Sequence, residues 1–379
     1  MRNVVVADFV RSPFTPANRG ELAKVRPDDL AGQVVKALVE RLRLAPDGIE
    51  DLLMGCAFPE AEQGLNVARL VGFLAGLPQS TAGATVNRFC GSSMQSVHMA
   101  AGAIALNAGD AFICAGLESM SRVPMTGFNP MPHPGLYQRY PQAYVGMGVT
   151  AENVARKYSI ARAEQEAMAV ESHAKAAAAR AAGKFAHELI AIRDGNRAIE
   201  ADGCIRPDTT AATLAGLEPA FEKAGTVTAG TSSPLTDGAV ALLVCAEEHA
   251  DRLQLPKLAR VRSVAVAGCA PELMGMGPVY ASQKALKRAG LTIQDIDIVE
   301  LNEAFAAQAI ACLRELGLDS AKVNLDGGAL ALGHPLGATG ARIVGKAAQL
   351  LQREGKRYAL ATQCIGGGQG IATVLEACQ

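Results

Sequence analysis

Asp297-Ile298-Val299-Glu300-Leu301 reads as a short strand, and Tyr358-Ala359-Leu360-Ala361-Thr362 opens another 61 residues after it. The same interval occurs earlier in the chain: Asp51 starts a strand-like run, and Phe112 lies in the next such run, again 61 residues on. One helical pattern sits near the midpoint of each interval. An offset shared by several elements is a stronger sign of duplication than any single match. The chain therefore reads as one α/β grammar written twice.

Working outward, residues 4–10 form a strand pattern, followed by a helix signalled by Pro27, Asp28 and Asp29 with Leu30, Val34, Leu38 and Leu42 on one stripe. Strand patterns at 52–58, 84–88 and 111–117 alternate with helical ones near 66–77 and 92–108. From Ser119 the texture turns to Pro, Gly and Met, then to an Ala-rich helix over 162–182; alternation returns near Thr226, with a strand at 239–245. The second copy runs as strand 258–267, helix 279–289, strand 297–301, helix 306–316, a glycine-rich stretch 327–340, helix 341–351 and strand 358–362. The expected organisation is a first half over 1–118, an insertion over 119–225, completion of that half over 226–250 and a second half over 251–379. Ala100, Ala101, Gly102, Ala103 and Ala105 on the helix after Cys90 suit a helix sandwiched between two sheets.

Composition agrees with a large buried interior. The 379 residues exceed the roughly 250–300 that one core usually organises. Apolar residues make up 49% and charged ones 19%, which excludes a disordered chain. A net charge of -1 lacks the basic excess needed to track nucleic acid, and the absence of Trp leaves few rings for stacking bases. Nine cysteines without a CxxC pair fit neither a disulfide framework nor a zinc knuckle, and no metal site is expected. The short apolar run at 4–6 is too brief for a signal segment, no stretch reaches membrane-span length, and the final residues are no targeting address. A cytoplasmic protein of a reducing compartment is the expectation.

Three places could carry chemistry. Cys90 sits where a strand (84–89) gives way to a helix opening at Gly91-Ser92-Ser93-Met94. A thiol there meets the positive end of the helix dipole and free N–H groups, which predicts a lowered pKa and a nucleophile. His334 lies in Gly327-Gly328-Ala329-Leu330-Ala331-Leu332-Gly333-His334-Pro335-Leu336-Gly337, where glycines let the backbone bend sharply. Cys364 ends a strand against Ile365-Gly366-Gly367-Gly368-Gln369-Gly370, whose N–H groups can cradle an oxyanion. Asn302 ends the strand at 297–301 and can hold a water or donate a hydrogen bond, or simply form an Asx turn. His98, His133, His173, His187 and His249 lack comparable surroundings and read as structural or surface residues.

Together Asn87-Arg88-Phe89-Cys90-Gly91-Ser92-Ser93-Met94-Gln95, Asn302-Glu303-Ala304-Phe305-Ala306-Ala307-Gln308, Gly333-His334-Pro335-Leu336-Gly337 and Cys364-Ile365-Gly366-Gly367-Gly368-Gln369-Gly370 resemble, in order and spacing, the signature blocks of the thiolases. The resemblance spans the chain. It extends to Gly148-Val149-Thr150-Ala151-Glu152-Asn153-Val154-Ala155 and Ala229-Gly230-Thr231-Ser232-Ser233, which are similar to loop-domain and CoA-contact segments. It implies duplicated βαβαβαββ halves in a five-layered α-β-α-β-α fold, an inserted loop domain covering CoA, and a homodimer or a tetramer of two dimers. It further implies an acyltransferase that cleaves 3-ketoacyl-CoA with CoA, a substrate rather than a resident cofactor. In that scheme Cys90 is the nucleophile, His334 its activator, Cys364 the second acid/base, and the N–H groups of Cys90 and Gly366 one oxyanion site. His334 with an Asn302-held water forms the other, while Ser233, Met147, Ala304 and Phe305 align with pantetheine or acyl-pocket positions.

Within the family, Gly146-Met147-Gly148 departs from the His-Met-Gly stretch of acetoacetyl-CoA thiolases, and the Cys90 block is similar to that of thiolase subunits of bacterial fatty-acid oxidation complexes. Broader chain acceptance in β-oxidation is therefore expected, with acetoacetyl-CoA thiolase as the alternative and a hydratase/dehydrogenase subunit as a candidate partner. A decarboxylating ketoacyl synthase would pair its cysteine with His-His or His-Asn, which Cys364 argues against. A non-catalytic lipid-binding relative would have lost one of Cys90, His334 or Cys364. Gly146-Met147-Gly148-Val149-Thr150-Ala151 formally fits GxGxxA but follows a Pro-rich loop rather than a strand, and no GxSxG elbow occurs.

Overall fold

The computed structural model describes residues 2–378. In the first half β1 (Val4–Arg11), α1 (Pro27–Leu42), β2 (Asp51–Gly55), α2 (Val67–Leu74), β3 (Ala82–Val86), α3 (Ser92–Ala105) and β4 (Ala111–Ser119) follow in order. A long excursion carries α4 (Met147–Lys157) and α5 (Arg162–Ala181) before β5 (Thr236–Ala246) returns to the sheet. The second half contains β6 (Ala259–Gly268), α6 (Gly277–Ala289), β7 (Ile298–Leu301), α7 (Ala306–Leu316), α8 (Leu336–Glu354), β8 (Tyr358–Ile365) and β9 (Gln369–Glu376).

Strand pairing shows the duplication directly. The first half is ordered β3-β2-β4-β5-β1 and the second β7-β8-β9-β6. In each, a parallel pair (β2 with β4, β7 with β8) is followed by two antiparallel ones. The partner of β3 in the second half is reduced to a single parallel bridge, Val299 to Val323. The repeated interval is the register itself: Asp51 pairs with Phe112, and Ile298 with Ala359. The half-sheets are not separate, because Val5–Arg260 and Val6–Ala259 stitch β1 to β6.

Alternation along the strands builds the layers. In β5, Ala239, Ala241, Leu243 and Cys245 face α1 and α2, while Val240, Leu242, Val244 and Ala246 face α3 and α8. In β9, Ile371 and Leu375 face that same central pair, and Ala372 and Val374 face α6 and α7. Helices therefore lie outside, between and outside the two half-sheets, giving the five-layered α-β-α-β-α order.

Three expectations need correction. The helix expected at 341–351 begins at Leu336, so the glycine-rich stretch is partly helix. Its glycines serve close packing: a Cβ on Gly340 would stand 2.4 Å from the Met94 backbone nitrogen, and one on Gly345 2.4 Å from the Phe9 ring. True bends occur at Gly327 and Gly333, with φ of +86° and +95°. β9 went unpredicted, and β2 ends at Gly55, three residues before the expected end, because Cys56 turns into a loop held by buried side chains.

Candidate active site

Cys90 stands on a tight elbow between β3 and α3. Phe89 has φ of +42°, an uncommon conformation for an aromatic residue. It is held by Asn87 Oδ1, which accepts the Phe89 N–H at 2.8 Å, and by Ser92 Oγ, which accepts the Arg88 N–H at 2.9 Å. The second half reaches across: Gln363 Nε2 donates to the Cys90 carbonyl, and Arg88 Nη1 donates to Gln369 Oε1 at 2.9 Å. The elbow is thus fixed by residues from both copies.

The lowered thiol pKa expected at a helix start is not found. Burial pushes Cys90 up to about 12, and the charge of Glu118 adds to it. The N–H of Gly366 and that of Cys90 itself pull the other way without prevailing. Desolvation outweighs the N–H groups because Cys90 precedes the cap Gly91 and lies against the opposite half.

His334 follows the bend at Gly333, with its N–H donated to Thr236 Oγ1 at 3.0 Å. Its Nδ1 lies 2.6 Å from Thr339 Oγ1, and that hydroxyl donates to the Pro335 carbonyl at 3.0 Å. The hydroxyl proton is committed, so Nδ1 carries the ring hydrogen and Nε2 keeps its lone pair. Asn302 Nδ2 faces Nε2 at 3.3 Å, the arrangement of donor to acceptor. Burial and the Arg342 charge depress the imidazole to about 3, so it is neutral at pH 7. Asn302 Oδ1 is buried without a partner among the described residues, an acceptor suited to a water.

Cys364 ends β8, and the turn Gly366-Gly367-Gly368 into β9 needs φ of +77° and +78° at its last two positions. Burial raises its thiol pKa well above the ordinary value, with Cys90 and Cys312 contributing through their charge. The two thiols are therefore electrostatic neighbours.

A cavity of about 1180 Å³ takes Cys90, His334 and Cys364 into its wall. Ser233, Met147, Ala304 and Phe305 line it too. Ser233 and Ala304 are tied by an N–H to O bond of 3.0 Å, and Phe305 packs edge-on against Phe221 at 5.9 Å. Asn302 and Gly366 are not part of that lining, and Asn302 Nδ2 meets His334 Nε2, which is. The described residues contain no group of three or more His, Cys, Asp or Glu able to hold a metal. The sequence reading missed Thr339, Gln363 and Phe221. Thr339 was findable, since a hydroxyl five residues after a helix-leading histidine can fold back on it; the other two act across distant segments and left no local signal.

Residues 4–248 match the thiolase N-terminal domain family and residues 255–377 the thiolase C-terminal domain family. The chain is 47% identical to a 3-ketoacyl-CoA thiolase of Bacillus subtilis, covering 100% of both chains. It is 49% identical to one of Shewanella denitrificans over 99% of this chain and 100% of that one. The crystal structure of human mitochondrial 3-ketoacyl-CoA thiolase superposes with a TM-score of 0.92 at 37% identity, covering 100% of this chain and 99% of that one. With both family domains matched end to end and the two cysteines and the histidine meeting at one cavity, the chain belongs to the thiolase family.

Proposed function

We propose that the protein is a 3-ketoacyl-CoA thiolase, an acetyl-CoA C-acyltransferase of fatty-acid β-oxidation that uses CoA as a substrate. The carrying observation is that Cys90, Cys364 and an imidazole whose Nε2 bears no hydrogen share one cavity wall. With Cys90 raised to about 12 and His334 depressed to about 3, a resting thiolate–imidazolium pair is strongly disfavoured. Proton transfer from Cys90 to His334 Nε2 therefore accompanies sulfur attack on the β-keto carbonyl. The Cys90 and Gly366 N–H groups receive the developing alkoxide. Collapse breaks the bond between the α- and β-carbons, leaving acyl-Cys90 and the enolate of acetyl-CoA. Asn302, a water on its free Oδ1 and His334 stabilise that enolate while Cys364 protonates its carbon. Cys364 then takes the thiol proton of incoming CoA, whose sulfur attacks the acyl carbonyl; the acyl–sulfur bond to Cys90 breaks, and the departing Cys90 thiolate recovers its proton from His334. Ser233, Met147, Ala304 and Phe305 contact the pantetheine or acyl chain.

The 119–225 segment acts as the CoA-covering insertion, within a first half of 1–118 and 226–250 and beside a second half of 251–379. A homodimer forms through the β3 edge, where Phe73, Leu74, Met99 and Leu106 are exposed, and two dimers pair in a tetramer. No described helix is long and apolar enough to cross a membrane, which suits a cytoplasmic site of action alone or with a hydratase/dehydrogenase subunit. Mass spectrometry after incubation with acetyl-CoA should show an acetyl adduct on Cys90 that Cys90→Ser lacks. Thiolysis of 3-ketoacyl-CoAs of increasing length should proceed beyond the four-carbon substrate; confinement to acetoacetyl-CoA would establish the short-chain enzyme instead.

A further inference from the structure

Glu118 lies next to the end of β4 and is fully buried. Its oxygens accept from the backbone N–H of Ala57 at 2.8 Å, Phe58 at 3.2 Å and Gly337 at 2.9 Å, and from Gln63 Nε2 at 3.1 Å. The Cys56 thiol also points at it, at 3.8 Å. Burial pushes the Glu118 carboxyl pKa up, while the three backbone N–H groups and Gln63 Nε2, all donors, favour its ionised form.

These donors belong to two separate parts of the site. The 56–58 loop leads to the nucleophile: Cys56 N–H donates to the Val86 carbonyl at 3.0 Å, and Asn87 Nδ2 donates to the Ala57 carbonyl at 3.0 Å. Asn87 in turn holds Phe89 in its left-handed conformation next to Cys90. Gly337 is in the first turn of α8, three residues after His334. A Cβ there would stand 2.8 Å from Glu118 Oε2 and 2.6 Å from the Leu117 carbonyl, so only glycine lets the helix start approach the carboxylate.

We propose that Glu118 is a positioning residue that clamps the Cys90 elbow of the first half to the His334-bearing helix start of the second. It touches no substrate and acts through the two groups it joins.

The inference rests on Cys90 as nucleophile, and acetyl labelling of wild-type Cys90 tests that part separately. Glu118→Gln keeps the shape, loses the charge and turns one acceptor into a donor facing N–H groups. The expected result is a kcat at least about tenfold lower with KM for the acyl-CoA within about twofold. Glu118→Asp keeps the carboxylate but not its reach, so kcat should again fall with KM little changed. A wild-type kcat in a folded Glu118→Gln protein whose Cys90 still acquires acetyl would overturn the proposal. If Glu118→Gln does not fold, Gln63→Leu removes one donor and leaves the carboxylate; kcat should drop at constant KM, and an unchanged kcat counts against the clamp.

Discussion

The Nδ1 atom of His334 lies 2.6 Å from the Thr339 hydroxyl oxygen, one turn along the helix it precedes. This contact sets which ring nitrogen carries hydrogen, because the hydroxyl already donates to Pro335. Thr339→Val preserves shape and removes the acceptor. The buried Nδ1–H then lacks a partner, which costs about 1–3 kcal/mol, and the other tautomer, with Nε2 protonated and useless as a base, gains population. kcat for thiolysis should fall by about tenfold or more while KM changes little. Equal kinetics in Thr339→Val would show that the tautomer is fixed by something else.

Cys364→Ala should separate the two half-reactions. The proposed role of this thiol is proton transfer at the α-carbon of acetyl-CoA and at the CoA sulfur; a thiolate can leave unprotonated, so acylation through Cys90 and His334 survives its loss at a reduced rate, whereas α-proton transfer does not. Cys364→Ala should therefore still form acetyl-Cys90 but lose exchange of the acetyl protons with deuterated solvent, followed by NMR. Exchange at the wild-type rate would place the acid/base role elsewhere.

Stability should decline on the acid side through three buried histidines, His98, His334 and His173, the last depressed to about 4 by burial and the Arg206 charge. His98, bonded to Thr373 Oγ1 at 2.9 Å, is depressed to about 3 by burial and by Arg88 and Arg288, as His334 is by burial and Arg342. Unfolded histidines titrate near 6.5. Above that value both states are neutral and the full stability is present. As pH falls from about 6.5 toward 3, only the unfolded chain takes up these protons, so stability is lost at up to about 1.4 kcal/mol per pH unit for each histidine. His98→Gln should flatten the decline of urea midpoints between about pH 6.5 and 4. A slope equal to wild type would mean that His98 titrates normally in the folded protein.

The duplicated fold was legible because strand register is a sequence interval: Asp51 with Phe112 and Ile298 with Ala359 lie the same distance apart. Helix α8 was misread at its start because Gly337 and Gly340 count as breakers by propensity, while here they admit Leu117 and Met94. The sense of the Cys90 pKa was misjudged for a related reason. The helix start was visible in the sequence, but Gln363, Glu118 and the burial they bring come from strands far along the chain. Local signals picked out two cysteines and a histidine that meet at one cavity, and tertiary packing decided their pKa shifts.

The β3 edge gives the assembly prediction. β3 ends the strand path with its outer side unpaired, an arrangement that proteins normally cover or blunt. Beside it stand Phe73 and Leu74 from α2, 48% and 50% exposed, and Met99 and Leu106 from α3, 41% and 81% exposed. Two copies meeting edge to edge would pair the free backbone groups and bury this patch isologously. Sedimentation equilibrium should then give at least twice the 39.3 kDa chain mass. Met99→Glu would bury a carboxylate without a partner, at a cost of several kcal/mol, and should shift the protein toward monomer at micromolar concentration. A wild-type protein sedimenting at the chain mass, or a Met99→Glu variant associating as tightly as wild type, would exclude this edge as the interface.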